Sequence, residues 1–585
     1  MMRNPRSISR RSLGAIEGNA MNAFRDDIIQ FLKSRLPLDE TELRWAIEVP
    51  PSVQLGDYAF PCFALAKALR KSPQAIAAEL AAAFQPTALV TEARTSGPYV
   101  NFFVDRVAFS RAGLGAIIAQ DIRYGQSAEG KGKTVVIDFS SPNIAKPFGV
   151  GHLRSTVIGN ALYRIFDHLG YRVVRVNHLG DWGTQFGKLI VAYKRWGNEA
   201  DLTAHAIQTL YDLYVRFHSE VETQPELDDE ARGWFKRLEE GDTEARAIWQ
   251  RFRDLSLREF SRIYERLGIS FDSQAGESFY EPYLEQTIER IRQTGLATVS
   301  DQALIVDLQA YNMPPCLLRK KDEATLYATR DLAAAMYRHE TYGFWKMLYV
   351  VGADQRLHFQ QVFKVLELMG SVWAKDCVHV DFGLIRFNDE KMGTRRGNII
   401  FLEDVLDRAV ELAEQIVHEK NPDLPRKHQV AEAVAIGAVI FTDLSTRRVK
   451  DVNFEWEKVL TFEGETGPYL QYTHARACSV LRKADQPVRV DADCSPLIQD
   501  DEFELVRLLT DYPAILSRAA QHFEPFFVTD YLLTLSERFN KYYHNYRILT
   551  DDAAVREARL LLVNGVQTVI QSGLNMLGIN APQEM

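Results

Sequence analysis

Four short segments carry side chains whose types and spacing suit phosphate and cation chemistry. The first runs Asp138-Phe-Ser-Ser-Pro-Asn143-Ile-Ala-Lys146-Pro-Phe-Gly149-Val-Gly151-His152-Leu-Arg154. Its make-up is that of a strand end, a glycine turn and a helix start. Free N–H groups and the positive end of a helix dipole favour an anion there. Small glycines let a flat base or a phosphate come close to the backbone. Lys146 and His152 can donate to phosphate oxygens where negative charge builds up. Asp138 and Asn143 can hold an ammonium group. On spacing alone, an ordinary strand–helix turn fits equally well.

The second segment is Tyr327-Ala-Thr-Arg330-Asp331. Residues four apart share a helix face, and a phenol beside a carboxylate offers planar acceptors to a guanidinium. A local pair of Asp331 with Arg330 or Arg338 on a solvated face is the simpler alternative. The third is Gly352-Ala-Asp354-Gln355, placed between a buried-looking strand and a helix, where open α/β sheets bind ligands. The fourth is Lys391-Met392-Gly393-Thr394-Arg395-Arg396-Gly397. A basic loop with two glycines suits a mobile clamp on a triphosphate, and equally a solvated basic turn.

The surrounding pattern must position these groups. Residues 134–139 are a β-branched run, 152–169 read as a helix and 172–177 as a second strand. That order begins a parallel α/β sheet. Residues 201–267 are charged and helical, as an insertion would be, and the strand pattern returns at 303–308, 346–351 and 379–382. Upstream, a helical stripe starts at Met21, residues 45–49 look like a strand ended by Pro50-Pro51, and 61–69 and 73–84 look helical. Residues 98–104 alternate as a strand. Beyond residue 450 the chain reads as helical throughout.

Composition narrows the class. Hydrophobic residues are 46% and charged residues 25% of 585, which excludes a mainly disordered chain. Lys and Arg number 69 against 78 Asp and Glu, a net charge of −9. Such a chain meets nucleic acid through a local basic face rather than over its whole surface. Five scattered cysteines with no Cys-x-x-Cys pair argue against a disulfide scaffold or a zinc site. No apolar run is long enough to cross a membrane as a helix. The first twenty residues carry Arg3, Arg6, Arg10 and Arg11 with one acid, as a disordered extension or an organelle transit peptide would.

Taken in order, the motifs resemble class I aminoacyl-tRNA synthetases, specifically the arginyl-tRNA synthetases. The run from Ser141 to Thr156, the block Asn177-His-Leu-Gly-Asp-Trp-Gly-Thr-Gln-Phe-Gly187 and the start Gly467-Pro-Tyr469-Leu-Gln-Tyr carry the likeness, with the three later segments in register. The resemblance covers about 21–585. It implies a multidomain α/β fold: a Rossmann-like parallel-sheet catalytic domain at 128–400 with a helical insertion at about 198–275, after an N-terminal α+β domain at 21–127 that touches the tRNA elbow. A helical junction at 401–452 and an all-α anticodon-binding domain at 453–585 would follow, with 1–20 a disordered extension.

The implied reaction is arginine plus ATP plus tRNA(Arg) to arginyl-tRNA, AMP and pyrophosphate, with ATP as its Mg²⁺ complex, no zinc and no organic cofactor. Activation would need tRNA bound first. The resemblance places the amino acid on Asp138, Asn143, Tyr327, Asp331 and Gln355. ATP would lie on Gly149, Gly151, His152, Gly352, Lys391 and Met392. Two departures stand out. Gly149 replaces the first His of the His-x-Gly-His signature, and Gly393-Thr394 replace the Ser-Lys of Lys-Met-Ser-Lys-Ser. Clamp charge is therefore expected to be shared among Lys146, His152, Lys391 and Arg395.

Asn101 and Phe103 are candidate tRNA contacts in the first domain; Arg447, Arg448, Tyr469, Arg476, Tyr543 and Arg547 are candidates further on. Bases splayed from single strands stack on aromatic and Arg planes, although a helical core claims aromatics too. Basic residues, 391–396 and 447–450 among them, are expected on one tRNA-facing surface. A cytoplasmic monomer is the expectation, or a mitochondrial enzyme if the first twenty residues are a transit peptide. A non-catalytic tRNA-binding paralogue, or a class I synthetase for another amino acid, are the competing readings.

Overall fold

A computed structural model describes residues 10–320, 327–387, 400–484 and 486–585. The segment 391–397, with Lys391, Met392 and Arg395, lies outside the described residues.

The N-terminal unit is built on a three-stranded antiparallel sheet, with Tyr99–Val104 between Tyr58–Pro61 and Val90–Ser96. Helices Arg10–Lys33 and Pro73–Ala83 cover it, burying Ile28, Ile29, Leu32, Ile76 and Leu80 on Phe60, Val100 and Phe102. The first helix thus starts at Arg10, inside the stretch read as an extension. Residues 45–49 do not form the expected strand. Asp39 and Glu42 close a capping box that starts a helix over Glu40–Ala46, and only Glu48 bridges to the sheet, at Ala59.

The central sheet is parallel, in the order Cys377–His379, Lys346–Tyr349, Thr134–Asp138, Arg172–Val176. Val135, Val136 and Ile137 are wholly buried, as a strand covered on both faces requires. Helix Leu153–His168 returns from the carboxyl end of the strand Thr134–Asp138. The strand pattern at 303–308 belongs elsewhere. Ala303–Val306 pairs antiparallel with Ala297–Ser300 and Cys316–Arg319 in a separate small sheet. Asp301 and Gln302 both adopt positive φ, the tight hairpin turn that joins neighbouring antiparallel strands.

Helices Gln185–Trp196, Ala206–Glu220, Glu226–Glu239 and Thr243–Leu267 make up most of the insertion. Asp181 ties it to the sheet. Its carboxylate accepts from Ser278 N at 2.8 Å and Arg253 Nε at 3.1 Å, and its carbonyl from Trp249 Nε1 at 2.8 Å. The C-terminal part is a bundle whose long helices are Gly467–Lys483, Asp500–His522, Phe526–Asn545 and Ala553–Met576. Ahead of it, helix Lys427–Leu444 is fixed to helix Leu153–His168 by a buried ion pair, Arg154 Nε to Asp443 Oδ2 at 3.0 Å, both side chains 1% exposed.

Candidate active site

The loop after the strand Thr134–Asp138 is held in an unusual backbone shape. Ser140, Ser141 and Ala145 all have positive φ, which costs a non-glycine residue on the order of 1 kcal/mol each. Each is tied down by a side chain elsewhere. Ser140 N donates to Ser155 Oγ at 2.8 Å, Ser141 N to Asn177 Oδ1 at 3.2 Å and Ala145 N to Ser256 Oγ at 2.8 Å. The same loop pairs with the block from Asn177: Gly180 N donates to Pro142 O and Ile144 N to Gly180 O. A Cβ at Gly180 would stand 2.0 Å from Asn143 Oδ1, so only glycine lets Asn143 keep its place.

Asp138 ends its strand, buried, with both oxygens engaged. Oδ2 accepts from Arg338 Nη1 at 2.8 Å and Oδ1 from Ser141 Oγ at 3.0 Å. Arg338 is 1% exposed and sits between the rings of Tyr280 and Tyr349, at 5.8 and 5.7 Å. Burial works against its charge, and Tyr280 and Asp138 foremost more than restore it. Its Nη2 donates to His178 Nδ1 at 3.2 Å. A guanidinium can only donate, so Nδ1 is the acceptor and the proton of neutral His178 is on Nε2.

Arg338 lies two helical turns beyond Asp331 on the helix Tyr327–Tyr342, so the two share a face. Asp331 bonds His358 Nε2 at 2.5 Å. Burial pushes the Asp331 carboxyl up, but His358, His178 and Arg338 outweigh it and hold it below the usual carboxylate range. The structure thus brings Asp138 and Asp331 to one place, with the Arg338 cation between them. Tyr327, at the start of the helix, is 67% exposed, and Gln355 is exposed at the start of the helix Arg356–Leu368. Neither touches Asp331 through a hydrogen bond among the described residues.

Two residues of this cluster escaped sequence reasoning. Arg338 figured only as a surface partner, and nothing in its local pattern reveals the burial. Glu277 belongs to no recognised segment. Its carboxyl is pushed up to about 8, chiefly by burial; Arg330 opposes this, and Asp331, Asp181 and Glu281 add to it. A bound guanidinium would favour its ionised form, so the arginine KM is expected to fall about tenfold as pH rises from 7 to 8.5. Glu277→Gln should flatten that profile. A wild-type KM that does not move over this range removes Glu277 from the pocket.

In the segment expected to meet the nucleotide, Val150–His152 form one turn ahead of the helix Leu153–His168. Gly151 is exposed, and a methyl there would meet nothing within 4 Å, which leaves the backbone open to a flat ligand. Gly149 is buried against Phe401, and Val150 N donates to Ile400 O at 3.1 Å. The described segment from Ile400 is therefore sewn to the turn. His152 Nδ1 lies 3.3 Å from Gly149 O, a contact that needs the proton on Nδ1. Burial lowers the His152 pKa, the Gly149 carbonyl opposes this and Lys146 adds to it. Neutral His152 would then present Nε2 as an acceptor, and it donates there only once an incoming phosphate draws a second proton. Lys146 Nζ lies 5.2 Å over the Tyr214 ring of the insertion. Gly352 bridges to Phe382 at the carboxyl end of the sheet.

The candidate RNA contacts divide. Arg476, Tyr543 and Arg547 line one cavity of about 630 Å³ with Lys483 and His544, and the Arg476 guanidinium lies 4.8 Å over Tyr472 and 5.1 Å over Tyr543. Tyr469 stands behind them, its hydroxyl accepting from Asn540 Nδ2 at 3.0 Å. Arg447 is exposed over Phe526, whereas Arg448 is half-buried with Nη1 on Asp381 Oδ1 at 2.7 Å. In the first domain Asn101 is only 6% exposed, and Phe103 lies half-buried beneath the Arg94 guanidinium at 4.5 Å.

Comparison with known proteins agrees along the whole chain. Residues 22–104 match the family model for the arginyl-tRNA synthetase N-terminal domain. Residues 113–456 match the class I (R) tRNA synthetase catalytic domain, and 470–585 the DALR anticodon-binding domain. The arginine–tRNA ligase of Clostridioides difficile is 49% identical over 97% of this chain and all of its own. That of Halothermothrix orenii is 47% identical over 96% of this chain and all of its own. The solved arginyl-tRNA synthetase of Thermus thermophilus superposes with a TM-score of 0.79, covering 99% of this chain and all of that one, at 27% identity. Three consecutive domain matches and full-length relatives at this identity establish that the chain belongs to the arginyl-tRNA synthetases of class I.

Proposed function

We propose that this chain attaches arginine to tRNA(Arg) through an arginyl-adenylate, with the residues above in the following roles. One observation carries the reading: Asp331, ionised and held by His358, lies on the same helix face as the cation that neutralises Asp138, at the carboxyl end of the parallel sheet. A pocket so arranged offers a carboxylate, held by His358, to a side-chain cation, with Glu277 beside it. A planar guanidinium satisfies such acceptors two at a time; the ammonium of lysine is a point charge and the urea of citrulline has none. Sites that pair buried polar groups reject analogues lacking them by factors on the order of 10⁴.

Asn143 and the remaining lone pairs of Asp138 would receive the α-amino group, with Tyr327 and Gln355 closing over the substrate from the rim. The arginine carboxylate would then attack the α-phosphorus in line while pyrophosphate leaves with its magnesium. No side-chain nucleophile is needed, so catalysis is positioning and charge stabilisation. Gly149, Gly151 and Gly352 would bring backbone against the nucleotide, and Lys146, protonated His152, Lys391 and Arg395 would share the charge on the phosphates. Lys146→Ala should lower the activation rate about a hundredfold with little change in arginine affinity. An intact rate would remove Lys146 from the clamp.

The cavity lined by Arg476, Tyr543 and Arg547 would receive an unstacked tRNA base, with Tyr469 fixing its wall; Arg447, Asn101 and Phe103 are the weaker candidates. Among the described residues, no helix is long and apolar enough to cross a membrane. Charging of tRNA(Arg) with labelled arginine against lysine tests the reading: arginyl-tRNA should form and lysyl-tRNA should not. Failure to charge arginine, with the protein folded and RNA-bound, would favour the non-catalytic paralogue instead.

A further inference from the structure

We infer that Arg338 is a specificity-determining residue, a resident guanidinium that neutralises Asp138 and so matches the pocket to a substrate whose head group is a zwitterion; this rests on the proposed arginine pocket. The observations are geometric. Arg338 is the largest cation fully enclosed in the cluster, its Nη1 is 2.8 Å from Asp138 Oδ2, and its guanidinium carbon lies 5.8 and 5.7 Å from the rings of Tyr280 and Tyr349. It occupies the position relative to Asp138 that a bound guanidinium would seek. Asp138 has no excess charge left, since its partner is permanent and the other oxygen is engaged by Ser141.

The consequence is a division of charge along the pocket. The Asp138–Arg338 pair sums to zero, and the head of an α-amino acid, ammonium plus carboxylate, also sums to zero. Asp331 and its neighbour Glu277 are left to face the side-chain cation. An amine lacking the carboxylate carries one positive charge more, and the pair offers it no compensating charge. Without Arg338, Asp138 would become an unpaired buried carboxylate and would attract that extra charge. The same guanidinium holds His178 in one tautomer, with the Nε2 proton available as a donor. Among the described residues nothing accepts that proton, which suits a carboxylate arriving with the substrate.

The test compares arginine with agmatine, its decarboxylated amine–guanidine analogue. Equilibrium dialysis of labelled arginine against agmatine on the full chain gives the ratio of the two dissociation constants. Arg338→Gln should shift that ratio at least tenfold in favour of agmatine, because a charge a few ångströms away is removed from a shielded site. Asp138→Asn should shift it the opposite way, and the double variant should return it towards the wild-type value. A merely structural Arg338 would weaken both ligands in parallel and leave the ratio unchanged. Ratios within twofold of wild type in both single variants would overturn the assignment; if Arg338→Gln fails to fold, an unmoved ratio in Asp138→Asn alone overturns it. A wild-type chain that binds no arginine overturns both this inference and the proposed function.

Discussion

Replacing Asp331 with Asn should raise the KM for arginine about a hundredfold or more while leaving the KM for ATP within about twofold. Asn preserves the shape but removes the charge, and it turns an NH₂ towards a ligand that is all donors. His358 aggravates the loss. Its Nε2 bonds the carboxylate in the wild type, and beside an amide it loses an anionic partner. The effect belongs to KM because the guanidinium is remote from the reacting carboxylate and is held alike in ground and transition states. Asp331→Glu should recover part of the loss. An unchanged KM in Asp331→Asn would take Asp331 out of the pocket.

The second large effect is on stability. Asp443→Ala should destabilise the contact between the helices Leu153–His168 and Lys427–Leu444 by about 3–5 kcal/mol, the usual cost of stripping one partner from a buried ion pair. Arg154 and Asp443 are both enclosed, and burial alone pushes the Asp443 carboxyl up while Arg154 pulls it back. Arg154 Nη1 keeps a bond to Lys450 O at 2.7 Å, but Nη2 has no hydrogen-bond partner. The pair spans the helix Leu153–His168, which follows the Gly149–His152 signature, and the helix Lys427–Leu444. Its loss should show as an earlier first transition in denaturant, with the paired change Arg154→Met/Asp443→Leu recovering most of it. A shift below about 1 kcal/mol for Asp443→Ala would mean the charge is not confined as the structure has it.

Much of the candidate site's framework was legible in the sequence because its parts are local. The strand end at Asp138, the turn at Gly149–His152 and the i,i+4 relation of Tyr327 and Asp331 all lie within a few residues of their signals. What escaped depends on distant pairing. Arg338 and Asp138 are 200 residues apart, and only the closed sheet makes them neighbours. Arg448 looked like part of an open basic surface until Asp381, 67 residues upstream, claimed it. Periodicity found the strand at 303–306 but could not say which sheet it joins, since a hairpin turn and a crossover leave the same alternation. At 45–49 the capping box from Asp39 outweighed the apolar run that follows it.

The surface argument from net charge is sharpened in the same way. A total of −9 leaves room for basic groups where RNA is expected, and Arg476, Lys483 and Arg547 gather at one cavity. Surface arginines elsewhere are largely paired, as Arg262 with Glu403 and Arg266 with Asp407 are. Exposed pairs of this kind contribute little to stability, but they remove charge that would otherwise compete for the phosphate backbone.

The central claim is that this pocket activates arginine and does so with tRNA in place. ATP–pyrophosphate exchange, measured across the amino acids with and without tRNA(Arg), tests it most directly. The account predicts exchange with arginine alone, and only when tRNA is present. Exchange with a different amino acid, or none with any amino acid while the chain still binds tRNA, would contradict it.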